Sequence, residues 1–224
     1  MLSIIIPTLN EEKLLPRLLE SIKSQDFNNY EIIIADANSK DNTKKIALEF
    51  GCKVVLGGKT SFARNNGAKN AQGDYLLFLD ADTKLPPNFL SKFIKKIEKR
   101  NIDNASCGLT PISNNIWDFV MQFLFHVYIF ITQFHYAHAQ GAIIFSKKWV
   151  HEKIGGFDEE IEIAEDHDYA RRAGKVSKSR WFWRPRILFS VRRFKEVGRL
   201  KIFFLYVTVE TMRILKGELK GPLK

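Results

Sequence analysis

Over the first 110 residues, short β-branched runs alternate with segments of helical periodicity, which confines the chain to an α/β fold with a mostly parallel sheet covered on both faces by helices. Strands are expected at Leu2 to Ile6, Tyr30 to Ala35, Lys53 to Leu56, Asp74 to Leu79 and Asn104 to Leu109. Helices are expected between them, at Glu12 to Ser24, Asp41 to Phe50, Ser61 to Gln72 and Asn88 to Arg100. Leu15, Leu18, Leu19 and Ile22 form one apolar stripe, and Phe89, Phe93, Ile94 and Ile97 form another. Ser61 is placed to cap the third helix and Gly73 to end it. Ligands of such a sheet bind at the carboxyl ends of the strands, so the residues just after each strand are the candidates for function.

The 224 residues carry a formal net charge of +10, and an anionic partner is implied: nucleic acid, an acidic membrane or a phosphorylated substrate. The distribution narrows this. Residues 171 to 224 hold 16 Lys and Arg against Glu196, Glu210 and Glu218, a net of +13, whereas the first 170 residues sum to −3. A uniformly basic nucleic-acid binder does not fit. Cys52 and Cys107 are the only cysteines, and they read as buried, reduced thiols of a cytosolic protein. The amino-terminal run Leu2 to Ile6 is short, lacks a basic leader and is followed by Pro7, so it reads as a buried first strand that places the start of the chain in the cytoplasm.

Between Ile116 and Tyr136, 15 of 21 residues are apolar, yet Asp118, Gln122 and His126 recur at four-residue spacing. One polar stripe beside a broad aromatic face suits a helix lying in the membrane interface or against the core better than a span. In the basic quarter, aromatics interleave with cations from Trp181 to Lys201, and a helix is expected from about Glu196 to Lys216 with Ile202, Leu205, Val209, Met212 and Leu215 along one side. Its mostly apolar core, Ile202 to Val209, is too short to cross a bilayer but can lie on an anionic leaflet.

Three strand ends carry clustered polar residues: Pro7 to Glu12, Asp36 to Thr43, and Asp80-Ala81-Asp82. The last closes the apolar run Tyr75 to Leu79, and two carboxylates one residue apart offer oxygen ligands to Mg²⁺ or Mn²⁺, ions that keep positions open for a diphosphate. Taken singly, Asn10 and Ser39 could be helix caps and the acids solvated turns. His135 and His138 have a spacing that suggests zinc, but no third ligand joins them in sequence, and they read as structural. His167 reads as a solvated or capping histidine, with approach to the metal or acceptor as the alternative. Gly57-Gly58-Lys59-Thr60 imitates a phosphate-binding loop, but Lys53 stands where its first glycine is needed.

The ordered set of Pro7 to Glu11, Asp36 to Thr43, Ala63-Arg64-Asn65-Asn66-Gly67 with Ala71 to Tyr75, Asp80-Ala81-Asp82, and Gly155-Gly156-Phe157-Asp158 leading to Glu165-Asp166-His167-Asp168 resembles family 2 glycosyltransferases of the GT-A fold over about residues 1 to 175. The resemblance implies a Rossmann-like sandwich and inverting transfer from a nucleotide-sugar donor. It assigns Asp36 and Arg64 to the base, Asp80 to the ribose, Asp82 with Asp80 to the divalent cation, and Pro7 and Glu11 to the walls of the nucleotide pocket. Asp166 is implied as the general base, with Glu165 and Asp168 in support, just ahead of a helix from Tyr169 to Ala173. Arg192 and Arg193 resemble an Arg-rich segment that faces the donor's diphosphate or an acceptor's phosphate.

The implied organisation is a catalytic domain over residues 1–190, with a helical acceptor-side insertion at about 112–137, and a basic amphipathic helix over residues 191–224. The implied activity is that of a hexosyltransferase using a UDP-sugar or GDP-mannose, peripheral at the cytoplasmic membrane face, with a lipid or lipid phosphate as acceptor. Ala37-Asn38 stands where the usual motif has Asp-Gly, which bears on base selectivity, and the short carboxyl-terminal part does not suit a processive synthase. The alternatives are a nucleotidyltransferase, which would want a Gly- and Arg/Lys-rich first loop where Pro7 to Glu12 is acidic, and a non-catalytic nucleotide-sugar-binding module.

Overall fold

A computed structural model describes residues 1–161 and 163–216, with side chains as far as Met212. Residues 217–224 of the expected basic helix, and the Leu215 side chain, lie outside the described part. The elements are β1 (Leu2–Thr8), α1 (Leu15–Lys23), β2 (Tyr30–Asp36), α2 (Thr43–Glu49), β3 (Lys53–Leu56), α3 (Thr60–Lys69), β4 (Tyr75–Leu79), β5 (Thr83–Lys84), α4 (Phe89–Arg100) and β6 (Asn104–Ile112). They continue with α5 (Ile116–Thr132), β7 (Ile143–Lys147), α6 (Lys148–Lys153), α7 (Glu165–Val176), β8 (Ser179–Ser190), α8 (Arg192–Val197) and α9 (Arg199–Lys216).

The strands form one sheet in the order β3-β2-β1-β4-β7-β6-β8-β5. Four adjacent pairs are parallel, and β4–β7, β6–β7 and β5–β8 are antiparallel. Alternation along β1 explains its continuous apolar run: Ile4 and Ile6 face a core layer with α1 and α4, while Ile5 faces a second layer with Phe78, Phe157 and Tyr169. The chain runs outward from β1 to β3 and then returns to β4 on the other side of β1. A crevice therefore opens beyond the carboxyl ends of β1 and β4, where strand order reverses.

Several helix ends differ from the sequence expectation, each for a local reason. Helix α1 starts at Leu15 and not Glu12, because the Glu11 and Glu12 N–H groups donate to Thr43 Oγ1 and Asp41 Oδ2. Helix α3 starts at Thr60 without a side-chain cap from Ser61, and ends at Lys69 with Asn70 as its C-cap; Gly73 lies instead against the Met1 carbonyl, where a Cβ would collide at 2.4 Å. The single helix expected from Glu196 is broken by Gly198, whose φ of +99° is open to glycine at little cost, giving α8 and α9. Strands β5, β7 and β8 are additions to the expected set.

Cys52 and Cys107 are free and buried, and burial pushes the Cys52 thiol up to about 11. Helix α5 is inverted relative to a surface helix. Its polar stripe faces inward: Asp118 is fully buried and ion-paired with Arg199, and buried His126 accepts a hydrogen bond at Nε2 from the Leu109 N–H. Burial holds His126 neutral, its pKa pushed down to about 4. The aromatic face is outside, with Trp117, Phe123, Leu124, Phe130 and Ile131 all exposed. Helix α9 runs beside α5, joined in order by Asp118 to Arg199, Phe125 to Tyr206 and Tyr128 to Glu210. It buries Ile202 and Val209 and exposes Leu200, Phe203, Phe204 and Val207. No helix among the described residues is long and apolar enough to cross a membrane.

Candidate active site

The loops after β1 and β2 are laced together by side chains that cap backbone groups. Asp36, buried at the end of β2, accepts from Thr8 Oγ1 (3.0 Å), Ser39 Oγ (2.6 Å) and the Ser39 N–H (2.9 Å). Asn10 N donates to Ser39 Oγ, and Asn10 Oδ1 accepts from Lys40 N. Asn10 and Ser39 therefore tie the two loops together and cap no helix. Asn38 has φ +63°, a left-handed conformation that asparagine tolerates far better than most residues, so it can stand where the usual motif has glycine.

Strand β4 delivers Asp80 and Asp82 to the crevice. The Asp80 N–H donates to the Ala142 carbonyl and the Ser190 N–H donates to the Asp82 carbonyl, so the residue before β7 and the end of β8 both border this turn. Desolvation and the charges of Asp80 and Glu11 push Asp82 up to about 7, and Arg192 only partly offsets them. Glu11 is held by Arg192, which reaches both its carboxylate oxygens at 2.6 and 3.2 Å. Arg193 is exposed, and its charge acts on the Tyr206 hydroxyl of α9, which also feels Asp166, Asp80 and Asp82. Beside Arg192, a groove of about 350 Å³ is lined by Arg17, Lys195, Ser190 and Glu196. Pro7 lies on β1, half-buried and paired with Ala35.

Arg64, implied by the resemblance to reach the base, is 1% exposed beneath the crevice, its guanidinium donating to Asp80 Oδ1, to Glu165 Oε1 and to the Gly141 carbonyl, each at 2.9 Å. It also lies over the Phe157 ring, 5.1 Å from the centroid. It thus couples β4 to α7. Burial raises the Asp80 and Glu165 pKa values while Arg64 lowers them.

Helix α7 starts at Glu165, four residues before the sequence expectation, so Glu165, Asp166 and Asp168 occupy its first turn, where the helix dipole favours carboxylates. The preceding Ala164 has φ +63°, which costs an alanine on the order of 1 kcal/mol and fixes the sharp entry to that turn. Asp166 Oδ1 accepts the His167 N–H, and Oδ2 stands 3.2 Å from where a Cβ on Gly141 would sit; the carboxylate needs the space that glycine leaves. Asp168 is buried and ion-paired with Arg172, which also binds the Ile154 and Gly156 carbonyls. It anchors α7, and with it the first turn that carries Asp166, to the turn after α6. Asn65 holds the same turn from α3, accepting the Phe157 N–H and donating to the Phe157 carbonyl.

His167 is corrected: it is neither solvated nor a cap, but buried with its Nδ1 3.4 Å from His138 Nδ1. Gly141 and Ala142, which border both acidic clusters, were not singled out in the sequence. The signal was there in the run Ile143-Ile144-Phe145, a fully buried strand that follows them.

An acid-lined crevice at the switch point of a two-layered mixed sheet defines the GT-A class of α/β folds, and solved structures agree. The mannosyltransferase PcManGT from Pyrobaculum calidifontis, in complex with GDP-Man and Mn²⁺, matches with a TM-score of 0.75 over 99% of this chain and 65% of that one, at 20% identity. S. aureus TarS 1-349 in complex with UDP-GlcNAc matches with a TM-score of 0.69 over 85% of this chain and 58% of that one, also at 20% identity. The profile of glycosyl transferase family 2 matches residues 3–153, and the chain belongs to this family. An uncharacterized glycosyltransferase of Haemophilus influenzae is 32% identical over 180 residues, 75% of this chain and 60% of the relative. The GalNAc(5)-diNAcBac-PP-undecaprenol beta-1,3-glucosyltransferase of Campylobacter jejuni is 34% identical over 104 residues, 42% of this chain and 34% of the relative. This chain thus spans about 60% or less of the length of these two relatives.

Proposed function

We propose that this chain transfers a sugar, with inversion, from a UDP-sugar or GDP-mannose to a lipid-linked or lipid-phosphate acceptor at the cytoplasmic membrane face. The observation that carries the reading is the convergence, around one crevice, of Asp80 and Asp82 from β4, Glu11 and Arg192 at its edge, and Asp166 on α7, with Arg64 bridging β4 and α7 through Asp80 and Glu165. Asp36 takes the nucleobase through the loop it organises, Pro7 and Glu11 shape the pocket, and Asp80 takes the ribose. Arg192 and Arg193 face the diphosphate.

The donor set at the crevice fits a hard divalent cation. Asp80 and Asp82 supply carboxylate oxygens only, and the mutual repulsion that raises Asp82 is of the kind such an ion relieves. Asp82, with Asp80, would hold Mg²⁺ or Mn²⁺, and the ion would neutralise charge on the departing nucleoside diphosphate. Asp166 removes the proton of an acceptor hydroxyl as that oxygen attacks the anomeric carbon from the face opposite the diphosphate. The expected activity is release of UDP or GDP from a nucleotide sugar with Mn²⁺ present, abolished by a chelator. Absence of turnover with every UDP- and GDP-sugar, with binding retained, would favour the non-catalytic module.

The acceptor side follows from the α5–α9 pair, which buries Asp118 and turns a row of large apolar side chains outward. Two adjacent helices with Trp117, Phe123, Ile131, Leu200 and Phe204 exposed, beside Arg193, Lys195 and Lys201, suit an anionic leaflet. The name of the Campylobacter relative gives that enzyme an undecaprenol-linked acceptor, in keeping with this reading. The chain is expected to sediment with anionic liposomes at low salt, with Phe123→Ser and Phe204→Ser together weakening binding by about tenfold or more, since two large apolar side chains contribute about 1.5–3 kcal/mol each when buried. Binding that is indifferent to both salt and these substitutions would contradict it.

A further inference from the structure

We propose that His138, His167 and Glu210 form a second metal site, of zinc type and separate from the donor crevice, which fastens α9 to the first turn of α7. The three residues come from the segment before β7, from α7 and from α9, and one ligand atom from each lies within 4.8 Å of the other two. Sequence spacing offered His138 no third ligand; the fold supplies another imidazole and a carboxylate. Both histidines are buried, at 7% and 9% exposure.

Three features distinguish this group from an ordinary polar contact. First, the two Nδ1 atoms are 3.4 Å apart with the rings at 85°. That is long for an N–H hydrogen bond of 2.7–3.2 Å, but it matches the edge of a tetrahedron with metal–nitrogen bonds of about 2.0–2.1 Å.

Second, the network assigns the His138 tautomer. Thr132 Oγ1 spends its only hydrogen on the Tyr128 carbonyl at 2.7 Å, so at 2.8 Å from His138 Nε2 it must accept. The proton then sits on Nε2, and the Nδ1 lone pair points at His167. Third, the Glu210 carboxylate is oriented by the Tyr128 hydroxyl, which donates to Oε1 at 2.5 Å. Tyr128 and Thr132, one turn apart on α5, thus give both an imidazole and the carboxylate the outer hydrogen-bonded partners typical of metal ligands.

Two imidazoles and one carboxylate suit Zn²⁺ with water in the fourth position, whereas the all-oxygen pair Asp80 and Asp82 suits Mg²⁺ or Mn²⁺. A cation here would act as a positioning element: the His167 backbone N–H is the group that holds Asp166 Oδ1. It would also lock α9, and with it the exposed apolar platform, to the catalytic face.

The test is metal content by mass spectrometry on untagged protein, loaded with Zn²⁺ and desalted, with affinity measured against a chromophoric chelator. Wild type is expected to retain one zinc per chain, and so is Asp82→Ala, whose substitution is in the other site. His138→Gln and Glu210→Gln are expected to lose it, and Tyr128→Phe, which leaves every ligand in place, to weaken zinc affinity by about 10–100-fold. Folding of each variant is checked by circular dichroism. Folded wild-type protein without zinc, loss of zinc in Asp82→Ala, or wild-type affinity in both His138→Gln and Tyr128→Phe would each overturn the proposal. None of these outcomes depends on sugar transfer.

Discussion

Asp166→Asn is expected to lower kcat for sugar transfer to a hydroxyl acceptor by about 10²–10⁴-fold, the usual worth of a positioned general base, while leaving donor binding near wild type. The asymmetry follows from where the side chain sits. Asp166 is fixed by the His167 N–H and by the space that Gly141 leaves, whereas Asp80 and Asp82 reach the crevice from β4. Asparagine keeps size and a hydrogen-bonding oxygen but cannot take a proton. The expected signature is therefore a loss in kcat with little change in the donor's Kd, measured by single-turnover transfer and by donor titration. Equal loss of donor binding would move Asp166 from base to donor site.

Arg64→Met is expected to destabilise the fold by about 3 kcal/mol or more, near the low end for breaking a buried ion pair. The guanidinium is 1% exposed and satisfies two carboxylates at once, so its removal strands Asp80 and Glu165 in a desolvated setting. Asp80 keeps 37% side-chain exposure, which screens its share and keeps the cost at that lower end. Arg64→Lys should recover part of the loss, because an ammonium keeps the charge but cannot reach Asp80, Glu165 and the Gly141 carbonyl with one planar fork. Urea unfolding of the three proteins at neutral pH checks the order wild type, Lys, Met. A Met variant within about 1 kcal/mol of wild type would show that Arg64 does not brace these elements.

The half of the fold built from β-branched runs and amphipathic helices was legible in the chain, because β1, β2 and β4 are largely buried apolar runs and α1 and α4 each bury one apolar stripe. The other half was harder to read for physical reasons. Strand β8 mixes Trp181, Phe182 and Ile187 with three arginines and Pro185, so neither its period nor its composition announces a strand. In α5 the polar stripe was visible, but its direction was not: only the fold shows that Asp118 and His126 point inward toward Arg199 and the Leu109 N–H.

The site shows the same division. The acids at strand ends were identified by position, since parallel topology alone brings Glu11, Asp36, Asp80 and Asp82 to one edge. The role of Arg64 was not, because its partners lie 16 and 101 residues away, and neither was the grouping of His138 with His167 and Glu210. Such contacts depend on how β7, α7 and α9 dock, which no local pattern encodes.

Asp80 and Asp82 are expected to form a cation-dependent nucleotide-sugar site. The most direct measurement is release of UDP or GDP from a panel of nucleotide sugars, with Mn²⁺ and with chelator, by wild type and Asp82→Ala side by side. Wild type should turn over at least one donor only with the ion present, and Asp82→Ala should fall by about 10²-fold or more, comparable to removal of one strong electrostatic contact in a transition state. Undiminished release by Asp82→Ala, or by wild type in chelator, would contradict it.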